Sequence, residues 1–426
     1  MTSYKNLSPA GLAALRETLK KEYDDFCGRG LKLDLSRGKP SAEELDLSDG
    51  MLSALSRDDC LSAGADYRNY GISAGIPEMR KLFSEMYGVR EDYIIACGNS
   101  SLQLMYDTVA RYMLFGTHKG GTPWSTVEGR KWLCVVPGYD RHFAITELFG
   151  FSLVSVPMTE SGPDMDAVEK LACDPLVMGI WCVPKYSNPT GNTYSAETVR
   201  RLVSMPVANP DFRIFWDNAY AIHGFDERDD ELPDIFTEAA AFGTEERVLY
   251  FASTSKVTYP GAGVAMLAAA DKNRAFLSAL MNYQTIGYDK INQLRHVKYL
   301  RDGVTVRAHM RTLGAVMKRK FDLTVKYLRP LRDLGIADFT EPHGGYFISL
   351  DVMPGCARRV YELMRQAGVI LTKVGATYPY GVDPQDSNLR LAPSYPKDEE
   401  LKCSMQILSV CVRLAAVEKL LSEKEE

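Results

Sequence analysis

Between residues 130 and 270 the chain alternates short, unbroken apolar runs with stretches whose apolar residues recur at helical spacing. The runs are WLCVVP (132–137), GIWCVP (179–184), RIFWD (213–217), VLYFAST (248–254) and VAMLAAA (264–270), each ending at polar or turn-forming residues. Strands that are apolar on both sides are covered on both faces, so these runs predict parallel strands joined by helices, one of them over 195–205. Near the start, Leu12, Leu15, Leu19, Tyr23 and Phe26 form one stripe of a helix over 9–26, with Ser8 as N-cap, Pro9 in the first turn and Gly28 and Gly30 as the stop. Beyond residue 320, YFISLDV (346–352) reads as a strand, and Leu401, Met405, Leu408 and Val412 mark an amphipathic C-terminal helix. The expectation is an α/β protein with a large sheet domain over 50–319, a smaller α+β domain over 320–426, and a segment 1–49 that belongs with the smaller one.

Composition narrows the class. With 426 residues, 46% of them hydrophobic, the chain is long enough for two cores. Fifty basic against fifty-five acidic residues leave a net charge of −5, so no positive surplus points to nucleic acid or an anionic membrane. The nine cysteines are odd in number and none is in a Cys-x-x-Cys pair, which reads as free thiols in a reducing compartment rather than disulfides or a metal site. The start carries no basic-then-apolar signal and no stretch is long enough to span a bilayer, so a soluble, cytoplasmic protein is expected. The polar, Gly-rich stretch 116–131 reads as a surface insertion.

Ligands of open α/β sheets collect at the carboxyl ends of the strands. After IIACG comes Asn99-Ser100-Ser101 and then a helical pattern, which offers hydroxyls and a helix N-terminus to a phosphate. After the next three runs come Lys185-Tyr186-Ser187-Asn188-Pro189-Thr190-Gly191, Asp217-Asn218-Ala219-Tyr220 and Ser253-Thr254-Ser255-Lys256. Each alone is also an ordinary turn or cap. In this order, with LSRGKP (35–40), YGISAGIPEMR (70–80) and NLRLAPSYP (388–396), they resemble the fold type I pyridoxal-phosphate enzymes, specifically the class I/II aminotransferases. The similarity covers nearly the whole chain. It implies a mainly parallel seven-stranded sheet between helices, pyridoxal 5'-phosphate as cofactor, no metal, and a homodimer with shared active sites.

The same resemblance implies roles. Lys256 would hold the cofactor covalently and move a proton, Asp217 would pair with the ring nitrogen, and Tyr220 and Asn188 would bond the ring's phenolic oxygen. Tyr139, in PGYDRHF (137–143), would stack on the ring, with His142 supporting Asp217. Ser100, Ser101, Ser253 and Ser255 would line the phosphate pocket, and Tyr70 would reach the phosphate across the dimer interface. Arg390 would grip the substrate α-carboxylate bidentately. Gly38 and Asn188 belong to the expected substrate contacts. A dicarboxylic substrate needs a second cation, and Arg37, Lys39, Arg141 and Lys290 are available near the motifs.

One position departs from the pattern. Many relatives carry an arginine eight residues after the lysine as the phosphate's charge partner, whereas this chain has Val264. Either a different basic residue replaces it, with Lys290 or Arg295 of this or the neighbouring subunit as candidates, or hydrogen bonds and a helix dipole suffice. Gly261-Ala262-Gly263 does not complete a dinucleotide fingerprint, because Met266 stands where the third glycine is needed. A transcription-regulator reading lacks room for a DNA-binding module before LSRGKP. The motifs look most similar to a bacterial subgroup described as aspartate aminotransferases, so transfer from L-aspartate to 2-oxoglutarate is expected. Alanine or aromatic donors, or a β-lyase or decarboxylase on the same fold, are the alternatives.

Overall fold

The computed structural model describes residues 3–62 and 64–425. The apolar runs form the strands β1 (Ile94–Ala96), β2 (Lys131–Val136), β3 (Ser152–Thr159), β4 (Gly162–Pro163), β5 (Val177–Cys182), β6 (Arg213–Asp217), β7 (Val248–Ser253) and β8 (Ala265–Ala269). Their order across one sheet is β1-β8-β7-β6-β5-β2-β3-β4. Seven of these match the expected sheet, and the two-residue β4 adds an antiparallel edge. The run over 264–270, grouped above with the parallel strands, is instead antiparallel to both its neighbours. It returns directly from the Lys256 turn, and so short a connection cannot make a parallel crossover.

Successive side chains of a strand point to opposite faces. Leu133, Ile180, Ile214 and Trp216 enter one buried cluster, while Trp132, Cys134, Trp181 and Phe215 enter another on the opposite face. The expected helices cover these faces or flank them. Pro9–Cys27 starts at Ser8, whose Oγ accepts from the Gly11 N–H at 3.2 Å, and Ala196–Ser204 starts at Ser195, which accepts from Thr198 at 3.1 Å. The stretch 116–131 is more than a surface insertion. Its Trp124 is buried against Tyr112, Trp132 and Phe151, because a large apolar ring gains far more from the core than from solvent.

A second antiparallel sheet, β9 (Ala337–Phe339), β10 (Ile348–Val352) and β11 (Asn388–Leu391), has the helices Gly303–Asp333, Ala357–Gln366 and Asp398–Glu425 beside it. The boundary expected at 319/320 falls inside the first of these, a continuous 31-residue helix. The N-terminal helix packs on the C-terminal one, and Leu33–Asp34 pairs in parallel with Val369–Ile370. That pairing delivers Ser36, Arg37 and Gly38 to the carboxyl edge of the large sheet, facing β11. All nine cysteines are free; Cys173 is exposed and six are buried.

Candidate active site

The parallel strands β2, β5, β6 and β7 end on the same edge of the sheet, and β1 joins them because β8 between β1 and β7 runs the other way. The residues after β1 and β7 therefore meet: Ser255 Oγ donates to the Asn99 carbonyl at 3.2 Å, and Ser253 Oγ donates to Ser255 Oγ at 3.0 Å. Beside them Ser100 caps the helix Ser101–Phe115 through Gln103 N–H. Four hydroxyls and a helix N-terminus thus face one end of a cavity of about 550 Å³.

Lys256 closes the turn that follows β7. Its carbonyl lies 3.2 Å from His223 Nε2, and Thr254 Oγ1 is held by His296 Nε2 at 3.0 Å and by Val264 N–H at 2.9 Å. Val264 thus serves this turn through its backbone, with its side chain buried. Lys256 Nζ donates to the Gly38 carbonyl at 3.1 Å and stands 5.1 Å and 5.6 Å from the ring centroids of Tyr346 and Tyr220. Burial pulls its pKa from 10.5 to about 8; Asp217 and Glu44 oppose that shift, and Arg390 adds to it.

Asp217 ends β6, buried. His142 Nε2 lies within hydrogen-bond distance of its Oδ2, while Oδ1 is buried with no partner among the described residues. An unpartnered carboxylate oxygen on the cavity wall fits a ligand N–H, as the pyridinium of pyridoxal phosphate supplies, and the serine cluster fits its phosphate. Tyr139 and Tyr220 line the same wall; burial raises the hydroxyl pKa of Tyr139 to about 12 and raises that of Tyr220 well above its ordinary 10. Arg390, on β11, crosses from the smaller sheet: its Nη1 donates to Asp140 Oδ1 at 2.8 Å and to Asn188 Oδ1 at 3.4 Å, and its guanidinium carbon is 5.0 Å from the Phe347 ring centroid.

Of the residues singled out in the sequence, Arg37, Gly38, Ser100, Ser101, Tyr139, Arg141, Asn188, Asp217, Tyr220, Ser253, Ser255, Lys256 and Arg390 line this cavity. His142 stands behind it. Lys290 does not line it: its Nζ is buried and donates to the Gly71 carbonyl, because the residues around Gly287 pack onto that strip of chain. Tyr70, beside Gly71, is 83% exposed and outside the cavity of its own chain. Lys39 Nζ sits over the Tyr395 ring, and Arg295 donates to Asn292 Oδ1. Seven lining residues have no role in the sequence reading: Ser36, Leu102, Met105, Asp140, Val183, Ala219 and Phe347. Asp140 was within reach, lying inside PGYDRHF between the stacking tyrosine and the histidine.

A lysine, an orphaned carboxylate oxygen and a hydroxyl-lined anion pocket on one cavity suit a transaminase that works through an amine-binding cofactor. The chain belongs to the family described as aspartate amino-transferase, whose family model matches residues 7–424, and it is a pyridoxal-phosphate-dependent enzyme. It is 45% identical to a putative aminotransferase of Mycolicibacterium smegmatis, over 99% of this chain and 100% of that protein. It is 44% identical to an aspartate aminotransferase of Corynebacterium glutamicum, over 98% and 97% of the two. The crystal structure of an aspartate transaminase from C. glutamicum superposes with a TM-score of 0.96, covering 98% of this chain and 99% of that one, at 44% identity. An α-aminoadipate aminotransferase from Thermus thermophilus, complexed with N-(5'-phosphopyridoxyl)-L-leucine, shares the fold at 22% identity, with a TM-score of 0.73 and 94% and 95% of the chains covered. No described helix is long and apolar enough to cross a membrane.

Proposed function

We propose that the enzyme transfers the amino group of L-aspartate to 2-oxoglutarate in two half-reactions at one site. The reading rests on the convergence of Lys256, Asp217 and Arg390 on one cavity from three separate parts of the fold. When bound, the cofactor supplies a carbonyl for the substrate amine and an electron-poor ring to hold the electron pair released at Cα. Asp217 Oδ1 would accept the ring N–H, and its carboxylate charge would keep that proton in place. Lys256 Nζ would hold the cofactor and, once released by the substrate amine, would be the base placed to take the substrate Cα proton. Tyr220 and Asn188 would bond the phenolic oxygen, Tyr139 would cover the ring face, and Ser100, Ser101, Ser253 and Ser255 would take the phosphate. Arg390 binds the α-carboxylate of each substrate in turn.

The choice of aspartate is supported by the name of the 44%-identical relative and by two further cavity cations, Arg37 and Arg141, for a distal carboxylate. Neither Lys290 nor Lys39 is in that lining. The homodimer is part of the same reading. It is supported by the exposure of Tyr70, Tyr283 and Ile286, with Gly71 and Gly287 in close approach between two of them. The deciding measurement is the visible absorbance of the cofactor-loaded enzyme. L-Aspartate alone should remove the band, and 2-oxoglutarate should restore it. A band that ignores aspartate would redirect the reading to alanine or aromatic donors, or to a lyase. Sedimentation at a monomer mass would remove the shared site.

A further inference from the structure

Arg390 is one of the most buried cations of the cavity, its side chain only 8% exposed, and it is already paired. Its partner, Asp140, opens the helix Asp140–Leu148 and is one-third exposed at the cavity wall. A guanidinium buried to this degree is costly to leave unpaired, and Asp140 supplies the missing charge. Arg390 does not depend on it for its position, since the side chain leaves a buried strand, rests near the Phe347 ring and reaches Asn188 Oδ1. Asp140 Oδ1 at 2.8 Å from Nη1 therefore stands where a ligand carboxylate oxygen would stand.

We propose that Asp140 is a resident counter-ion of Arg390 that the substrate α-carboxylate displaces on binding. The inference rests on the reading of Arg390 given above. Two carboxylates cannot share Nη1 without repulsion, so the more exposed one, Asp140, turns out toward solvent and returns as product leaves. Binding becomes an exchange of one anion for another. The buried guanidinium is never left unpaired, substrate affinity is held down, and release is eased. Amino acid and oxo acid use the same arginine, so both half-reactions are affected alike. Asp140 acts only through Arg390, as its counter-ion.

The test uses the cofactor-loaded enzyme and succinate, an unreactive dicarboxylate, with Kd from calorimetry and KM and kcat from kinetics. Asp140→Asn keeps the shape and removes the charge. It should lower the Kd of succinate and the KM of both substrates by roughly 10-fold, from the loss of one charge-assisted bond that is partly exposed. Asp140→Ala should do the same, and Asp140→Glu should return the affinity toward that of the wild type. In an Arg390→Ala background the gain should vanish. A Kd that is unchanged or higher in Asp140→Asn overturns the proposal and makes Asp140 an anchor. A gain that persists without Arg390 overturns it as well, leaving only a general charge effect. Undiminished succinate binding by Arg390→Ala alone would instead remove the reading of Arg390 on which the proposal stands.

Discussion

His142 Nε2 lies 2.9 Å from Asp217 Oδ2 with both side chains buried, so the aspartate has one oxygen committed to the protein and one left over. The imidazole is itself fixed, stacked on Trp181 with centroids 4.4 Å apart and planes 12° from parallel. Asp217→Asn keeps the volume and loses the charge, so kcat/KM should fall by at least about 100- to 1000-fold, the scale of one lost electrostatic contact to a reacting group. His142→Phe keeps the stack and removes only the bond to Oδ2, for which a loss of about 10- to 100-fold is expected. Steady-state kinetics on both variants check the order. A His142→Phe enzyme weaker than Asp217→Asn would reverse the roles assigned here.

Lys256 allows a test in the cofactor-free protein, where its amine is free to titrate. The folded pKa of about 8 is below the ordinary 10.5, so between those values the unfolded chain holds a proton that the folded chain has released. Stability should therefore rise with pH across that window. Below about pH 8 both states are protonated, and the folded state bears the cost of a partly buried ammonium, at most on the order of 3 kcal/mol. Lys256→Met should be more stable than the wild type by up to that much at pH 7, with the gap closing toward pH 10.5. It should also have no turnover. Urea unfolding of both apo-proteins at pH 7 and 9.5 measures the gap, and a gap independent of pH would contradict the buried, low-pKa amine.

Arg390→Ala removes the carboxylate-binding guanidinium. Truncating one partner of a buried charge pair costs about 2–5 kcal/mol, which corresponds to a rise in KM of roughly tens- to thousands-fold for amino and oxo acid alike. A rise for one substrate only would mean that the two half-reactions do not share this arginine.

Strand positions were legible because both faces of the large sheet are covered, which turns each strand into an unbroken apolar run such as RIFWD. The direction of the last strand was not, since Val264 to Ala270 reads alike whether parallel or antiparallel. Trp124 was hidden in a polar context, where one large ring decides burial against fifteen neighbours that suggest a surface loop. At the cavity, residues read from ordered motifs come together. Those that depend on two distant segments meeting were missed. Phe347 matters only because Gly38 and Arg390 come to it from 309 and 43 residues away. Lys290 is a cation near the motifs in the chain, but within its own chain it is engaged at the Gly71 carbonyl, away from the cavity lining.

Gly38 gives the last prediction. A Cβ built there would lie 2.1 Å from Phe347 Cζ and within 3 Å of both Cε atoms, so any side chain must push the ring. The ring is buried and has the Arg390 guanidinium beside it, and the carbonyl of Gly38 accepts from Lys256 Nζ. Gly38→Ala should thus cost about 1–3 kcal/mol by overpacking and raise KM through displacement of Arg390. Pairing it with Phe347→Leu removes the ring atoms that clash and should restore much of the melting temperature. KM should stay high in the double variant, because the surface beside the guanidinium is gone. Thermal melts and KM on the two variants separate these effects. If Gly38→Ala melts and binds like the wild type, Phe347 turns aside freely and the tight seam between the two sheets is not what positions Arg390.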